Sequence, residues 1–260
     1  MNKDNASFTI NSSDNNVLDP IQDKLYPVKN AHPNSITTCH VNVNSVRYTH
    51  ENIHDLLLKD LVDIMLISET KIDESFPDAQ FMCEGFRLHR NDRNESGGGF
   101  MCYVRADIPH RRCEDYESND GVVESLVVEL NLKGKKWFIV GIYNPHKRHK
   151  AHLISYLGQV LEMTLSEGHE TICLGDMNID MIKDDCIKSN ILDVYGFNNL
   201  ISSPTCSKSN EGTLLDPILV TNKRRFHDVI NIPCGYSDFH NFVGCSTKCS
   251  VPKVAPRKIT

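Results

Sequence analysis

Polar side chains of a few chemical types border the short apolar runs of this sequence. They are carboxylates, amides, one phenol and one imidazole, and in chain order they are Asn42 with Asn44, Glu69, Tyr143 with Asn144, Asp176 with Asn178, Asp216, and Asp238 with His240. Alternate residues of a strand point to the same side, so Asn42 is paired with Asn44, and Asp176 with Asn178. Together these groups have the composition of a site that transfers protons and binds a cation.

Each of these motifs, taken alone, also has a purely structural interpretation. Asn and Asp after a strand are ordinary turn formers, and Tyr143 on its own is more typical of a core than of a catalytic site. Asp216 is the exception, because it interrupts the apolar run Leu-Leu-Asp-Pro-Ile-Leu and a carboxylate is costly to bury unpaired. We therefore expect a cation or hydrogen-bond donor beside it, with His240 as the candidate.

Alternating and helical apolar patterns predict the elements that carry these residues. Strands are predicted at 36–43, 63–68, 100–104, 122–130, 137–143, 171–174, 214–220 and 241–247. Helices are predicted after the N-cap candidate Thr49, over 153–165 and over 187–195. Gly97, Gly98 and Gly99 predict a tight turn, and Lys133-Gly134-Lys135 a hairpin. Many strands with few helices favour a strand-rich α/β or α+β sandwich with helices covering the sheets.

The two ends of the chain lack this periodicity. Residues 1–34 are rich in Asn, Ser and Asp, which predicts a disordered leader. Residues 35–250 then form the folded domain. Residues 251–260 carry two prolines and several basic side chains, and we interpret them as an extended linker.

In order and content, the motifs resemble the endonuclease/exonuclease/phosphatase superfamily. The match looks closest to the endonuclease domain of non-LTR (LINE-type) retrotransposons, which is similar to the apurinic-site endonucleases. Ser-Glu-Thr-Lys at 68–71, Arg-Asn-Asp-Arg at 90–93 before the three glycines, and Tyr-Asn-Pro at 143–145 add to it. The resemblance implies a DNase I-like four-layer sandwich: two packed mixed β-sheets flanked by helices. It also implies that residues 251–260 lead towards a reverse transcriptase domain in the parent element.

The resemblance assigns a role to each residue. Glu69, Asn44 and Asp238 would hold Mg²⁺, with Mn²⁺ as the alternative ion. Asp176 would act as general base, with Asn178 holding the attacking water. Asp216 would orient His240 towards the phosphate. Contacts to the phosphate or substrate fall to the remaining positions, which are Asn42, Tyr143, Asn144, Thr213 and Ser237.

One departure from the family pattern lies in the last motif. Relatives have Asp and His adjacent, whereas Phe239 separates Asp238 from His240 here. In an extended segment this would put Asp238 and His240 on the same side. We expect a local bulge that restores the position of His240.

The resemblance leads to three functional hypotheses. The first is a Mg²⁺-dependent endonuclease that nicks DNA and leaves a 3′-hydroxyl, acting as a monomer in the nucleus, with the cytoplasm as the alternative. The second keeps the catalytic groups but takes a non-DNA phosphate ester. The third is an inactive transposon remnant, for which Phe239 is the candidate lesion.

Composition bears on these hypotheses only coarsely. Lys and Arg number 28 against 34 Asp and Glu, a net charge of −6, which counts mildly against a nucleic-acid partner. Three basic clusters at 133–136, 147–150 and 223–225 soften this objection, although each cluster alone is more typical of a solvated turn. Ten cysteines without a Cys-x-x-Cys pair favour a reduced intracellular protein. His240, Cys245 and Cys249 make only a weak zinc motif. There is no secretory signal and no apolar run long enough to span a membrane.

Overall fold

The computed structural model of this protein describes residues 19–250. Within them the α-helices are α1 (Pro20–Ala31), α2 (His50–Leu58), α3 (Lys150–Thr164) and α4 (Asp193–Tyr195), the last preceded by a π-helical turn (Lys188–Leu192). The strands are β1 (Ser35–Asn42), β2 (Ile64–Ser68), β3 (Phe86–Asn91), β4 (Phe100–Arg105), β5 (His110–Arg112), β6 (Glu124–Leu132), β7 (Lys135–Tyr143), β8 (Glu170–Leu174), β9 (Asn198–Asn199), β10 (Ile218–Val220), β11 (Phe226–Ile232) and β12 (Phe242–Ser250).

These strands form two six-stranded mixed sheets. The first sheet has the order β11-β12-β1-β2-β4-β3, and the second has the order β5-β6-β7-β8-β10-β9. Each sheet contains one parallel pair, β1 with β2 and β7 with β8, while the other neighbours run antiparallel. Parallel neighbours end at the same edge of a sheet, so the segments that follow β1 and β2 begin side by side, as do those that follow β7 and β8.

Side-chain alternation along the central strands creates three apolar layers. On β2, Leu66 enters the core between the two sheets, while Met65 faces the opposite way, into the layer under α1 and α2. On β7, Ile139 enters the core between the sheets and Val140 packs in the layer with Leu157 of α3. Full burial of each such side chain is worth about 1.5–3 kcal/mol. The result is helices, sheet, sheet and helices, which confirms the predicted four-layer sandwich.

The sheets approach closely at Gly141 in β7. A Cβ added there would lie 2.5 Å from Leu66 Cδ2 and 2.5 Å from Phe100 Cε1, both in the first sheet. These distances are far below van der Waals contact, so a side chain at this position would force the sheets apart. The glycine therefore sets the spacing between the two sheets next to the strand end that carries Tyr143.

The predicted disordered leader is wrong for the part that the structure describes. Asp19 accepts a hydrogen bond from the Ile21 amide at 2.8 Å and caps α1, whose first residue is Pro20. Ile21, Leu25 and Val28 follow at helical spacing, and all three are buried. The helix forms because this apolar stripe packs beneath the first sheet. Residues 1–18, and the predicted linker at 251–260, lie outside the described residues.

The predicted strand at 214–220 is also corrected. Only Ile218–Val220 pairs in the sheet. Pro217 has no amide hydrogen, and a proline breaks a strand ladder for that reason. Asp216 consequently lies in an irregular segment just before the strand, not within it.

The cysteines and the helices bear on two further expectations. All ten cysteines are free thiols, which agrees with the prediction against a disulfide scaffold. The weak zinc motif is not assembled, because Cys245 is buried in the core between the sheets while His240 contacts Asp216. Within residues 19–250, no helix combines the length and apolarity needed to cross a bilayer.

Candidate active site

The polar strand ends of the two sheets meet around one amide side chain. Asn42 is the last residue of β1, Glu69 follows β2, and Asp176 follows β8 of the other sheet. The Asn42 Nδ2 donates to Glu69 Oε1 at 2.9 Å and to Asp176 Oδ2 at 2.9 Å. One buried amide thus joins a carboxylate from each sheet, which places the two acids in one site.

The backbone around Asp176 depends on the glycine before it. Gly175 has φ +147°, and a Cβ there would lie 1.8 Å from the Ile142 carbonyl oxygen. That close approach lets the Asn144 amide donate to the Asp176 carbonyl at 2.9 Å, while Asn144 Nδ2 donates to the Met177 carbonyl at 2.9 Å. Asn144, predicted to bind substrate, instead holds the loop that carries Asp176.

Asn178 completes the hydrogen bonding of the Asp176 carboxylate. It has φ +49°, a left-handed conformation that Asn tolerates better than most residues. Its amide donates to Asp176 Oδ1 at 2.9 Å, and its Nδ2 donates to Asp176 Oδ2 at 3.2 Å and to the Asn144 carbonyl at 2.9 Å. Asn178 lies directly beside Asp176, as the sequence predicts.

The buried position of Asp176 changes its acidity. Its side chain is almost fully buried, and burial, followed by the charge of Asp216, raises the pKa of Asp176 to about 7, although His240, Asn178 and Asn42 oppose the shift. A carboxylate with that pKa takes up and releases a proton near neutral pH.

Asp216 and His240 form a hydrogen-bonded pair next to Asp176. Asp216 is fully buried, Thr205 Oγ1 donates to its Oδ2 at 2.8 Å, and His240 Nδ1 lies 3.0 Å from the same oxygen. His240 Nε2 lies 3.8 Å from Asp176 Oδ2. Burial alone would lower the pKa of His240, but the bond to Asp216 and the charges of both acids raise it to about 10, so the ring is a cation at neutral pH.

The structure places the extra residue Phe239 in a bend that leads away from this pair. The bend covers Asp238 and Phe239. Ser237 Oγ accepts from the His240 amide at 3.2 Å, and the Phe239 carbonyl accepts from the Ser207 amide at 2.9 Å. The Phe239 side chain is 46% exposed. This bend is found where a bulge was expected, and it keeps His240 in hydrogen-bond contact with Asp216.

Glu69 and Asn44 offer oxygen atoms to a common position. The Tyr143 hydroxyl donates to Glu69 Oε1 at 2.8 Å, which leaves Oε2 free for another partner. The Lys71 ammonium lies 3.4 Å from Glu69 Oε2 and donates a hydrogen bond to Asn44 Oδ1. The Lys71 ammonium therefore occupies a position where Glu69 Oε2 and Asn44 Oδ1 both favour a positive charge. The donor set and the position both fit a hard cation such as Mg²⁺.

Hydrogen bonding also sets the charge state of Glu69 and Tyr143. Burial alone would raise the pKa of Glu69, but hydrogen bonds from Asn42 and Tyr143 and the charge of Lys71 hold it below its ordinary value. Burial and the charge of Glu69 raise the pKa of Tyr143. The pair is therefore an ionised acid and a phenol that keeps its proton.

The structure does not bring Asp238 into this arrangement. Its side chain is exposed, and no residue within 19–250 forms a hydrogen bond or ion pair with it. Ser237 contacts the site only through the His240 amide. Thr213 pairs by its backbone with Cys206 and lines a neighbouring cavity. The metal role of Asp238 has no geometric support, and the substrate roles of Ser237 and Thr213 stay predictions.

Sequence reasoning missed three residues of the site: Lys71 beside Glu69, Thr205 beside Asp216, and His40 in β1. The His40 ring is fully buried, with Nε2 3.0 Å from Ser68 Oγ and Nδ1 3.8 Å from Asp216 Oδ1. Burial lowers the pKa of His40 to about 4, against the opposing charge of Asp216, so the ring is neutral. Its alternation with Asn42 along β1 was the available clue, since both side chains point to the same side.

A cavity of about 290 Å³ opens beside Asn178. Two loops supply its walls, and its lining residues are Lys147, Asn178, Asp180, Cys206, Lys208, Ser209, Thr213 and Leu215. Neither Lys147 nor Lys208 forms an ion pair with an acid in the described part of the chain. The cavity therefore presents positive charge next to the buried carboxylates.

Comparison with known proteins identifies the family of this chain. The model of the Endonuclease/Exonuclease/phosphatase family matches residues 39–238. No curated protein sequence matches the chain significantly.

Solved structures share the fold at low sequence identity. A 3′–5′ exonuclease from Neisseria meningitidis has a TM-score of 0.65 and 16% identity, covering 82% of this chain and 99% of its own. The endonuclease domain of TRAS1, a telomere-specific non-LTR retrotransposon, has a TM-score of 0.63 and 14% identity, covering 82% and 98%. An AP endonuclease from Archaeoglobus fulgidus has a TM-score of 0.58 and 16% identity, covering 82% and 99%. At these identities the likeness establishes the fold alone.

Proposed function

This chain belongs to the endonuclease/exonuclease/phosphatase family, and on that premise we propose that it is a Mg²⁺-dependent endonuclease that nicks DNA and leaves a 3′-hydroxyl. The observation that carries the proposal is the contact between the two halves of the site: Asn42 joins Glu69 to Asp176, and His240 lies between Asp176 and Asp216. A phosphodiester needs a base for the attacking water and positive charge for the developing anion. This arrangement contains groups suited to each task.

Asp176 is the proposed general base. Its pKa, raised to about 7 by burial and by Asp216, lets it hold the proton taken from water at neutral pH. Asn178, bonded to both oxygens of the carboxylate, fixes its orientation. His240 contributes the positive charge beside the phosphate, because Asp216 keeps its ring protonated and oriented.

Glu69 and Asn44 are the proposed metal ligands. Mg²⁺ bound there would neutralise charge on the phosphate and polarise it towards attack. Mn²⁺ offers the same coordination chemistry and is the alternative ion. The Tyr143 hydroxyl and the Asn42 amide hold Glu69 Oε1 in place, so Oε2 faces the position that Lys71 now contacts.

DNA is the proposed substrate because of the cavity beside Asn178. Lys147 and Lys208 supply cations at its wall, and phosphate contacts of this kind dominate affinity for nucleic acid. The Tyr-Asn-Pro motif at 143–145 favours the retrotransposon branch, in which a reverse transcriptase domain follows. A monomer acting in the nucleus belongs to the same proposal.

A plasmid assay tests this function. We expect the purified protein to relax supercoiled plasmid with Mg²⁺ and not with chelator, and we expect Glu69→Ala and Asp176→Asn to lose this activity by about a hundredfold or more. Glu162→Ala, on the exposed face of α3, is the matched control and should nick normally. Polymerase extension of the nick without prior phosphatase treatment would identify the 3′-hydroxyl.

Measuring the hydrolysis of small phosphate esters beside the plasmid assay distinguishes the two alternatives. Hydrolysis of small phosphate esters without plasmid nicking would favour a non-DNA substrate. A well-folded protein that cleaves neither class of substrate would favour an inactive remnant and would contradict the proposal.

A further inference from the structure

Two histidines and one aspartate meet at the junction of α1 with the first sheet. His32 is the residue that follows α1, while His227 and Asp228 are neighbours on β11. Adjacent residues of a regular strand point to opposite sides. The pairing of β11 with β12 shifts register between His227 and Val229, and Asp228 has φ +51°. This bulge turns both side chains towards His32.

The separations of the Asp228 carboxylate from both rings fit a metal coordination shell. Asp228 Oδ2 lies 3.2 Å from His227 Nδ1 and 3.5 Å from His32 Nε2, and the three atoms all lie within 4.8 Å of one another. Two ligands that each bind Zn²⁺ at about 2.0–2.1 Å with a tetrahedral angle are separated by about 3.3 Å. The separation of the Asp228 carboxylate from each ring is therefore already close to that between two ligands of one zinc ion.

Contacts behind the His227 ring favour the same interpretation. Its Nε2 lies 3.2 Å from the Thr247 carbonyl oxygen and 3.1 Å from Ser35 Oγ. A carbonyl can only accept a hydrogen bond, so a proton on Nε2 satisfies this contact, and that tautomer would leave the Nδ1 lone pair for a metal ion shared with Asp228. A metal-binding histidine is typically oriented in this way by a backbone carbonyl on its other nitrogen.

From this geometry we propose that His32, His227 and Asp228 bind a divalent transition metal, with Zn²⁺ as the preferred ion. Two imidazoles and a carboxylate suit Zn²⁺, Cu²⁺ or Ni²⁺ and do not suit Mg²⁺, which prefers oxygen ligands. The side chains are 41%, 17% and 35% exposed, which leaves room for a water as fourth ligand. The metal would fasten the end of α1 to the edge strand β11, away from the catalytic groups, none of which contacts these three residues.

Zinc titration of the full chain tests the site. The protein is stripped with chelator and titrated with Zn²⁺ in competition with a chromophoric chelator, and the number of tightly bound equivalents is counted. We expect His32→Ala and His227→Ala to lose one equivalent. Asp228→Asn should weaken that equivalent at least about tenfold without disturbing the fold, because Asn tolerates the same positive φ. His152→Ala is the matched control, since His152 pairs with Asp120 at 3.1 Å without a third ligand.

The active site could bind zinc as well, so the titration is repeated with His240→Ala. Loss of a separate equivalent on adding His227→Ala to that variant supports the proposal. We also expect Zn²⁺ to raise the unfolding temperature of the parent and of His152→Ala, but not of His227→Ala. The proposal is overturned if the three variants bind Zn²⁺ with the stoichiometry and affinity of the parent, or if His240→Ala alone abolishes all tight binding.

Discussion

One imidazole lies between two carboxylates in this site, and the two contacts are unequal. His240 Nδ1 is 3.0 Å from Asp216 Oδ2, whereas its Nε2 is 3.8 Å from Asp176 Oδ2. The short contact fixes the ring and its charge, while the longer one is too long for a hydrogen bond, so Nε2 keeps its capacity to donate to another partner. The two distances agree with the proposed roles, in which Asp216 orients His240 and Asp176 acts as the base for the attacking water.

The pH dependence of cleavage follows from Asp176. A general base must be ionised, and burial together with Asp216 raises the pKa of Asp176 to about 7. We therefore expect kcat/KM for nicking to fall about tenfold per pH unit below 7 and to level off above it. Above pH 7 His240 stays protonated, because its pKa is raised to about 10. Initial rates from pH 5.5 to 9 at constant ionic strength measure this. A flat profile from pH 5.5 to 8 would contradict the assignment.

His40 makes a second prediction, on stability. Its folded-state pKa is lowered to about 4 by burial, below the ordinary value near 6.5. The unfolded chain therefore binds a proton more readily, and this residue lowers the free energy of unfolding as pH falls from 6.5 towards 4. At pH 5 the cost is about 2 kcal/mol.

A substitution isolates that contribution. We expect His40→Gln to reduce the difference in unfolding free energy between pH 7 and pH 5 by about 2 kcal/mol, measured by urea titration at both values. His146→Gln, on an exposed side chain, should leave the difference as in the parent. If His40→Gln and the parent lose equal stability on acidification, the ring is not held neutral by burial.

The turn after β8 determines the position of Asp176, the proposed general base. Gly175→Ala would place Cβ 1.8 Å from the Ile142 carbonyl oxygen, so the turn must move and Asp176 with it. We expect a loss of about 3 kcal/mol in unfolding free energy and a strong loss of nicking. Gly168→Ala is the control, because Gly168 has φ +72° with no atom within 4 Å of an added Cβ, and should cost about 1 kcal/mol. Equal costs in chemical denaturation would show that the clash is relieved elsewhere.

The same elements show what a sequence can predict here and what it cannot. Strands β2, β7 and β8 are buried on both faces over most of their length and consist mainly of apolar residues, so the polar residues at their ends could be predicted with them. β1 is equally buried but mixes apolar residues with Thr and His. The edge strand β3 has no buried residue, so its sequence does not show the alternation of apolar and polar residues that would predict a strand. Helix α1 lies in an Asn-rich region and contains Pro27, which conceals its apolar stripe. The alternation of His40 with Asn42 indicated only its side of β1, because its proximity to Asp216 is a contact that the fold alone creates.

The net charge of the whole molecule is a poor guide to the charge at the cavity beside Asn178. The chain carries −6, yet Lys147 and Lys208 stand at the cavity beside Asn178. Two neighbouring lysines already form ion pairs with acids: Lys183 with Glu211 at 2.6 Å, and Lys150 with Asp184. Binding of DNA would therefore rest on a few local contacts and not on the overall field.

That view predicts the salt dependence of DNA binding. Lys147→Ala with Lys208→Ala should weaken binding and reduce the slope of log affinity against log salt by about 2, roughly one for each lysine. Fluorescence anisotropy with a labelled duplex, in the presence of chelator, measures the slope. Lys24→Ala, on the exposed face of α1, removes the same charge elsewhere and should leave the slope unchanged. An unchanged slope in the double variant would remove these lysines from the DNA path.

The position of β12 has a consequence for how the chain is made. β12 lies between β1 and β11 in the first sheet, with Cys39 opposite Gly244, so β1 pairs with a strand that is synthesised long after it. Until residues 242–250 emerge, β1 presents one unpaired edge, which is a hazard for association with other nascent chains. His240 emerges just before β12. The nascent domain therefore completes the proposed active site only when residues 242–250 have been made, which is the same stage at which the open edge of β1 becomes protected.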